Sequence, residues 1–284
     1  MQPQRDLAIV LRSIPYQERH RIVTALTEGH GQVTALARNS IQSRRFGGTL
    51  DLFAAAEWQF VERPGAEFWN LREAQIRRAF EGIRKDFERL SLASVFNELM
   101  LKIAPRHEAC PELFRLHSNA LAALDEADES SFAAGSEVAL LNAYLAKLLQ
   151  WNGSQPRIDC CLSCGATIDR FTAGDSSSEK MTCRISEAGW NCPACRTAQT
   201  SHLKDGQGIR DALLRISRDA IVDFQICLMM PIRQVPKAVQ AKRADHLELF
   251  QFLEALLIYH VPGFDRQPLK GLRFLSFRAE SPPV

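Results

Sequence analysis

Two Cys-x-x-Cys pairs are the residues of this chain whose types and spacing indicate a chemistry most clearly. The first pair is Cys161 and Cys164, and the second is Cys192 and Cys195. Two thiolates at this spacing can both reach one metal ion at about 2.3 Å from a short backbone turn. Gly165 follows the first pair, where a chain that wraps around a metal often needs a positive φ angle. We therefore expect the four cysteines to hold one structural Zn²⁺ in a closed tetrahedral site, with no coordination position left for catalysis.

The sequence leaves other interpretations of these cysteines open. A disulfide, or a site that has lost its ion, would preserve the same pattern. Cys160 directly precedes Cys161, and Cys183 lies in the loop between the pairs, so either is an alternative ligand. His202 lies shortly after the second pair and is a weaker alternative.

A group of arginines near the amino terminus is the second informative feature. The net charge of the chain is only +2, but residues 29–50 contain no Asp or Glu. The arginines within this stretch or just before it are Arg12, Arg19, Arg21, Arg38, Arg44 and Arg45. Arginine makes bidentate contacts to phosphates and stacks on bases. We therefore expect these residues to bind nucleic acid, and scattered solvated charges are the alternative.

Phe46 follows Arg45 and adds an aromatic ring to this basic stretch. An exposed ring at this position would be a stacking platform for a base. Packing against the protein core, with Gly47 and Gly48 forming a turn, is the alternative. We include Phe46 among the candidate DNA-binding residues and leave both roles open.

The composition is that of an ordinary globular protein. The chain has 284 residues, of which 46% are hydrophobic and 24% are charged. This length suits two domains of roughly 100–200 residues each. No apolar signal-peptide core follows Met1, and no stretch approaches the about 20 apolar residues that cross a bilayer. We expect a cytoplasmic protein with no membrane partner, and reduced thiols in that compartment favour metal over disulfides.

The elements that must position these residues change type along the chain. The first eighty residues contain short β-branched and aromatic runs separated by glycine turns, which predict five short antiparallel strands. Apolar residues at helical spacing then predict helices over 83–103, 111–124, 137–151, 208–228 and 244–260. Five strands in so short a segment favour an OB-fold, a small barrel that commonly binds oligonucleotides.

The predicted fold class is α+β and multidomain. An N-terminal OB-fold β-barrel is followed by an α-helical domain that carries an inserted four-cysteine zinc module. We expect the barrel at 1–80, the helical domain at 81–157 and 201–275, and the zinc-binding insert at 158–200. Residues 276–284 end in Pro-Pro-Val and are expected to be a disordered tail.

The motifs of common enzymes are absent from the sequence. No G-x-x-x-x-G-K-[ST] or H-E-x-x-H occurs, and the seven histidines are scattered. We therefore expect a protein that is not an enzyme. A zinc-containing OB-fold module that binds RNA, or a protein scaffold that binds no nucleic acid, is the alternative function.

Four stretches, taken in order, resemble the RecO family of bacterial recombination mediators. They are Val10–Val23, Ala37–Gly48 with the following Leu50–Phe53, the paired cysteines, and Leu256–Gly263 with Leu269–Leu275. The order of these stretches is more specific than any one of them. The resemblance covers nearly the whole chain, and it implies an OB domain, a helical domain and a zinc-binding insert.

The resemblance also implies a role in DNA repair and homologous recombination. Members of this family bind single- and double-stranded DNA, anneal complementary strands and help load the RecA recombinase onto DNA coated with single-strand-binding protein. The implied partners are DNA, RecR and the acidic C-terminal tail of single-strand-binding protein, with RecA as an indirect partner. The implied location is the cytoplasm, in association with the nucleoid.

Overall fold

The computed structural model describes residues 3–41, 43–62, 65–127, 136–171, 180–195, 213–239, 241–264 and 269–279. The chain divides into two compact units. The first unit contains residues 1–127 and 269–284, and the second contains residues 128–268. The first two helices of the chain therefore belong to the same unit as the barrel strands. From the sequence we expected these helices to lie in a separate helical domain. The domain limits given above stay a prediction.

Five strands of the first unit form a closed barrel in the order β1-β2-β3-β5-β4. They are β1 (Gln4–Tyr16), β2 (His20–Thr27), β3 (Gly31–Ala37), β4 (Ala55–Val61) and β5 (Trp69–Arg78). This confirms the predicted OB-like barrel. The pairing of β3 with β5 is parallel, which corrects the expectation of antiparallel strands throughout. Closure of the barrel causes the difference, because it brings together two strands that run in the same direction.

Small and large side chains alternate inside the barrel. Alanines on β2 and β3, among them Ala25 and Ala35, are fully buried beside the rings of Trp58 and Phe60. Large rings opposite alanines fill a narrow barrel without voids. The alternation of strand side chains thus directs apolar residues inward and leaves polar residues on the outer face.

Two helices follow the barrel in the first unit, α1 (Phe87–Ile103) and α2 (Pro111–Glu126). Helix α1 begins four residues later than predicted, because the Asp86 side chain caps it by accepting a hydrogen bond from the Glu88 N–H at 3.0 Å. Asn97 on α1 donates to the carbonyl oxygens of Val10 and Leu11 on β1, at 3.2 and 2.9 Å. These two bonds anchor α1 to the barrel next to a β-bulge.

The second unit contains a small sheet and several helices, of which the four with bounds at both ends inside the described residues are named here. The helices are α3 (Ser136–Trp151), α4 (Arg218–Met229), α5 (Val235–Ala238) and α6 (Arg243–His260). The strands are β6 (Met181–Arg184), β7 (Gly189–Asn191) and β8 (Leu213–Ile216), in the order β7-β6-β8. The predicted helix over 208–228 is wrong at residues 213–216, which form β8. Helix α4 starts only after Ser217, whose hydroxyl accepts from the Ala220 N–H at 3.1 Å.

The end of the described chain belongs to the first unit. A 3₁₀ helix (Lys270–Phe274) lies against α1, and a short helix, α7 (Ser276–Ala279), follows it. The expectation of a disordered tail from residue 276 is therefore wrong for Ser276–Ala279, while residues 280–284 lie outside the described residues. Within the described part of the chain, no helix has the length and apolar character needed to cross a membrane.

Candidate metal centre and nucleic-acid interface

The four cysteines of the two Cys-x-x-Cys pairs come together in the second unit. The sulfurs of Cys161, Cys164, Cys192 and Cys195 all lie within 4.8 Å of one another. A tetrahedral site with bonds of about 2.3 Å places its sulfurs roughly 3.8 Å apart. The Sγ atoms of Cys164 and Cys192 are separated by 3.8 Å. The arrangement can therefore hold one metal ion, and no second cluster of this kind occurs among the residues described.

The backbone of the first pair has the turn that such a site needs. The Gly165 N–H donates to the Cys161 carbonyl oxygen at 3.0 Å, and Gly165 has a φ angle of 71°. Glycine adopts this left-handed conformation without steric cost. The Cys192 N–H donates to the sulfur of Cys161 at 3.3 Å, so the second pair also stabilises the first thiolate. These contacts suit sulfurs that carry negative charge.

The pKa values of the thiols show how their charges interact. Burial acts to raise the pKa of Cys161, but backbone N–H groups of Cys192, Cys164 and Ser163 outweigh it and bring this pKa to about 7. Hydrogen bonds with the sulfurs of Cys164 and Cys192 raise the pKa of Cys195 to about 12. The thiol of Cys161 therefore loses its proton easily, and its negative charge makes deprotonation of a neighbouring thiol less favourable. A divalent cation removes that conflict by neutralising the accumulated charge.

The small sheet positions the second cysteine pair. Strand β7 ends at Asn191, directly before Cys192. The Leu162 N–H donates to the Trp190 carbonyl oxygen at 2.9 Å, which ties the first pair to this strand. A Cβ atom at Gly189 would lie 2.8 Å from the Leu162 side chain, so a larger residue here would require Leu162 to move.

The alternative ligands lie outside the four-sulfur cluster. Cys183 lies on β6 and is fully buried, which raises its thiol pKa. Cys160 makes a backbone bridge to Thr167, and its sulfur is not part of the cluster. His202 lies outside the described residues. The geometry thus favours the four cysteines first inferred from the spacing.

Three of the predicted DNA-binding arginines lie on the β1–β2 hairpin and the adjoining end of β3. Arg12 is on β1, Arg19 is in the turn before β2, and Arg38 directly follows β3. The Ile41 N–H donates to the Arg19 carbonyl oxygen at 3.3 Å, which brings the chain after Arg38 back beside the turn. All three side chains are exposed, and none has a described carboxylate within 4.0 Å. We call these residues, with Tyr16, the hairpin face.

Tyr16 is a candidate that the sequence-based selection missed. It is 39% exposed at the end of β1, in register with His20 on β2. Arg12, Ile14 and Tyr16 alternate along β1 and therefore point to one side of the strand. The sequence carried the signal in this alternation. The sequence-based choice of DNA-binding residues started from the arginines and the ring beside Arg45, so it did not include Tyr16.

The other predicted arginines occupy different surroundings. Arg21 forms an ion pair with Asp51 at 3.4 Å. Arg44 and Arg45 lie on a short 3₁₀ helix (Arg44–Phe46), and both are exposed. Arg45 lines a groove of about 230 Å³ on β4 and β5. Besides Arg45, the groove lining comprises Arg5, Glu57, Gln59, Glu73, Ala74 and Gln75.

Phe46 belongs to the barrel core. Only 3% of the residue is exposed, and it packs with Leu50, Trp69 and Leu71. The Arg45 guanidinium covers its ring at 5.0 Å. This position favours the packing role that the sequence left open, because a buried ring presents no face to a base.

Most of the chain is similar in sequence to known proteins. A family described as Recombination protein O N terminal matches residues 1–80, and one described as Recombination protein O C terminal matches residues 84–267. The chain is 33% identical over 251 residues to the DNA repair protein RecO of Anaeromyxobacter dehalogenans strain 2CP-C, covering 87% of this chain and 88% of that protein. It is 27% identical over 214 residues to the protein of the same name in Rhodopirellula baltica, covering 75% and 74%. For that of Geobacter sulfurreducens, the identity is 35% over 166 residues, covering 58% and 65%.

Proposed function

We propose that this chain, which belongs to the RecO family of DNA repair proteins, binds DNA through its barrel and anneals complementary single strands. The observation that supports this most is the hairpin face. It combines three exposed arginines that lack carboxylate partners among the described residues with one exposed tyrosine. Such a surface suits phosphates and unstacked bases rather than a compact small molecule.

The arginines act on the phosphates. Arg12, Arg19 and Arg38 neutralise backbone charge and release condensed counterions, so binding weakens steeply as salt increases. Arg44 and Arg45 contact phosphates at a second position, and Arg21 joins them when it leaves Asp51. Phe46 is not part of this proposal, since its ring is buried.

Annealing follows from the same electrostatics. Two single strands repel each other through their phosphates, and a cationic surface that screens both strands lowers this barrier. Phosphate contacts carry no sequence information, so base pairing alone selects the partner strand. Tyr16 can stack on a base and contribute about 1–3 kcal/mol. None of these steps makes or breaks a covalent bond, and we propose that the chain has no enzymatic activity.

The four cysteines, we propose, hold a structural Zn²⁺. When bound, the ion supplies a cross-link between the two Cys-x-x-Cys pairs. Within the described residues this segment has a three-stranded sheet of short strands, and the cross-link would hold the loops that carry the cysteines to this sheet. Coordination energy then contributes directly to folding.

The partners implied by family membership complete the proposal. The chain would act with RecR, bind the acidic C-terminal tail of single-strand-binding protein and help load RecA onto coated DNA, in association with the nucleoid. These roles rest on the family and not on a described contact.

A strand-annealing assay tests this function. Two complementary oligonucleotides, one coated with single-strand-binding protein, are mixed with the purified chain, and duplex formation is followed by fluorescence energy transfer. We expect faster annealing than in the protein-free reaction. A parallel competition between single-stranded DNA and structured RNA of equal length examines the alternative. Preference for RNA would support an RNA-binding module, and no binding to either would support a scaffold.

A further inference from the structure

Two phenylalanine rings stand exposed on the first unit, outside the barrel. Phe87, at the first position of α1, is 66% exposed, and Phe274, at the end of the 3₁₀ helix Lys270–Phe274, is 49% exposed. Their ring centroids are 6.4 Å apart, and the ring planes meet at 89°. Exposed phenylalanines in contact with each other indicate a binding surface, because isolated exposed apolar residues are ordinary but clustered ones are not.

The backbone that carries Phe274 is held in place on α1. The Glu98 carboxylate accepts hydrogen bonds from the Lys270 and Gly271 N–H groups, each at 3.0 Å. A Cβ atom at Gly271 would lie 2.8 Å from the Val95 side chain, so the 3₁₀ helix approaches α1 as closely as glycine permits. The ring pair is therefore presented by two anchored segments, which limits the ordering cost of binding.

Three cations lie on or beside the two segments that carry the rings. The Arg273 guanidinium lies 4.6 Å from the centre of the Phe274 ring. Lys85 precedes Phe87 by two residues, and Lys270 begins the 3₁₀ helix. These three cations are exposed, and none has a carboxylate within 4.0 Å in the described ranges.

The nearby carboxylates are already occupied by donors. Asp86 caps α1 and lies 3.7 Å from Arg89. Glu88 accepts from the Ser276 hydroxyl at 2.6 Å, and Glu98 accepts the two backbone N–H groups described above. Arg89 balances the charge of Asp86, while Glu88 and Glu98 are held by neutral donors and stay negative. The three cations therefore exceed these two carboxylates by one positive charge.

We propose that Phe87 and Phe274 form a stacking site for unpaired bases of single-stranded DNA, with Lys85, Lys270 and Arg273 contacting the flanking phosphates. Two perpendicular ring faces offer one plane for stacking and one edge for contact, which suits a planar base. This inference rests on the proposed DNA binding and extends it to a surface that the barrel does not supply. It also supplies the aromatic contact that the buried Phe46 cannot make.

The test separates stacking from general apolar contact. The full chain carrying Phe87→Leu and Phe274→Leu keeps apolar side chains without aromatic faces, and Phe87→Trp with Phe274→Trp keeps the stacking. Met229→Ala removes an exposed apolar side chain of the second unit and serves as the matched control. Each protein is titrated with oligo(dT) and with an abasic oligonucleotide of equal length and charge, at several salt concentrations.

We expect the wild type to prefer oligo(dT) over the abasic strand by at least about fivefold, the lower end of one stacking contact. The leucine variant should lose about fivefold of this preference and keep the part that Tyr16 contributes, with an unchanged salt slope, whereas the tryptophan and Met229→Ala variants should keep all of it. An undiminished preference in the leucine variant overturns the stacking site while leaving the barrel proposal intact. If the wild type binds neither strand, the proposed function itself fails. Each protein is also titrated with an acidic peptide that ends in an apolar residue. If the leucine variant loses binding only to this peptide, the surface is a protein-docking site and the stacking proposal is wrong.

Discussion

The Arg21 guanidinium lies 3.4 Å from the Asp51 carboxylate, so one of the arginines predicted to bind DNA already has an anionic partner. Both side chains are at least partly exposed, and exposed ion pairs contribute only about 0–1 kcal/mol to stability. A phosphate can therefore compete for Arg21 at little cost. Asp51 therefore reduces the positive charge at the barrel surface around Arg21.

Asp51→Asn should strengthen binding of single-stranded DNA about fivefold at about 0.1 M salt. The physical reason is that one freed phosphate contact steepens the slope of log K against log salt by about 0.7 for single strands. Fluorescence anisotropy across a salt series measures both quantities. Glu67→Gln removes an exposed carboxylate elsewhere in the first unit and should leave the slope unchanged. Equal effects of the two substitutions would show that only net charge matters.

Asn97→Ala should destabilise the first unit by about 1–3 kcal/mol, because it removes two buried hydrogen bonds to β1. The free energy of unfolding in urea measures the loss. Asn119→Ala, at an exposed position on α2, is the matched control and should change stability by less than about 0.5 kcal/mol. A loss at Asn119 as large as that at Asn97 would contradict the anchoring role of α1.

Local patterns in the sequence predict the strands of the barrel and the long helices well, because each of these elements depends on residues close together in the chain. The strand β8 was missed because Leu213–Ile216 is short and pairs with β6, some thirty residues earlier. The return of residues 269–279 to the first unit depends on Glu98 and Glu88, more than 170 residues away. Such long-range contacts have no signature in local periodicity.

The candidate site shows the same limit. The cysteine cluster was predictable, since its spacing is itself the geometric requirement for metal binding. The burial of Phe46 was not, because neighbouring residues cannot show whether a ring points into the barrel. The pairing of Arg21 with Asp51 joins two residues whose proximity the sequence does not reveal.

Metal analysis of protein purified without chelator tests the zinc proposal. We expect about one zinc per chain in the wild type and in Cys160→Ser, because Cys160 lies outside the cluster. Cys164→Ser and Cys192→Ser should lose most of the metal and unfold at a lower temperature, since each removes one of four ligands. Retention of zinc in both of these variants, with its loss in Cys160→Ser, would assign the ligands differently.

The fully buried His117 predicts a loss of stability in acid. Burial lowers the pKa of His117 from 6.5 to about 3. Between these values the unfolded chain binds a proton that the folded chain does not, so stability falls as pH falls from 6.5 towards 3. At pH 5 this amounts to about 2 kcal/mol.

His117→Leu should remove this part of the pH dependence, measured as the difference in free energy of unfolding between pH 7 and pH 5. His107→Asn, at an exposed position in the same unit, should retain the wild-type difference. If both variants keep it, His117 is not the group responsible.

The salt dependence of single-stranded DNA binding is the most direct test of the hairpin face. We predict that Arg19→Ala with Arg38→Ala makes the negative slope of log K against log salt shallower by about 1.4, because two phosphate contacts are lost. The control, Arg157→Ala with Lys237→Ala, removes two exposed cations of the second unit and should leave the slope unchanged. A hairpin variant with the wild-type slope and affinity would contradict the account, since the hairpin face would then not be the surface that binds DNA.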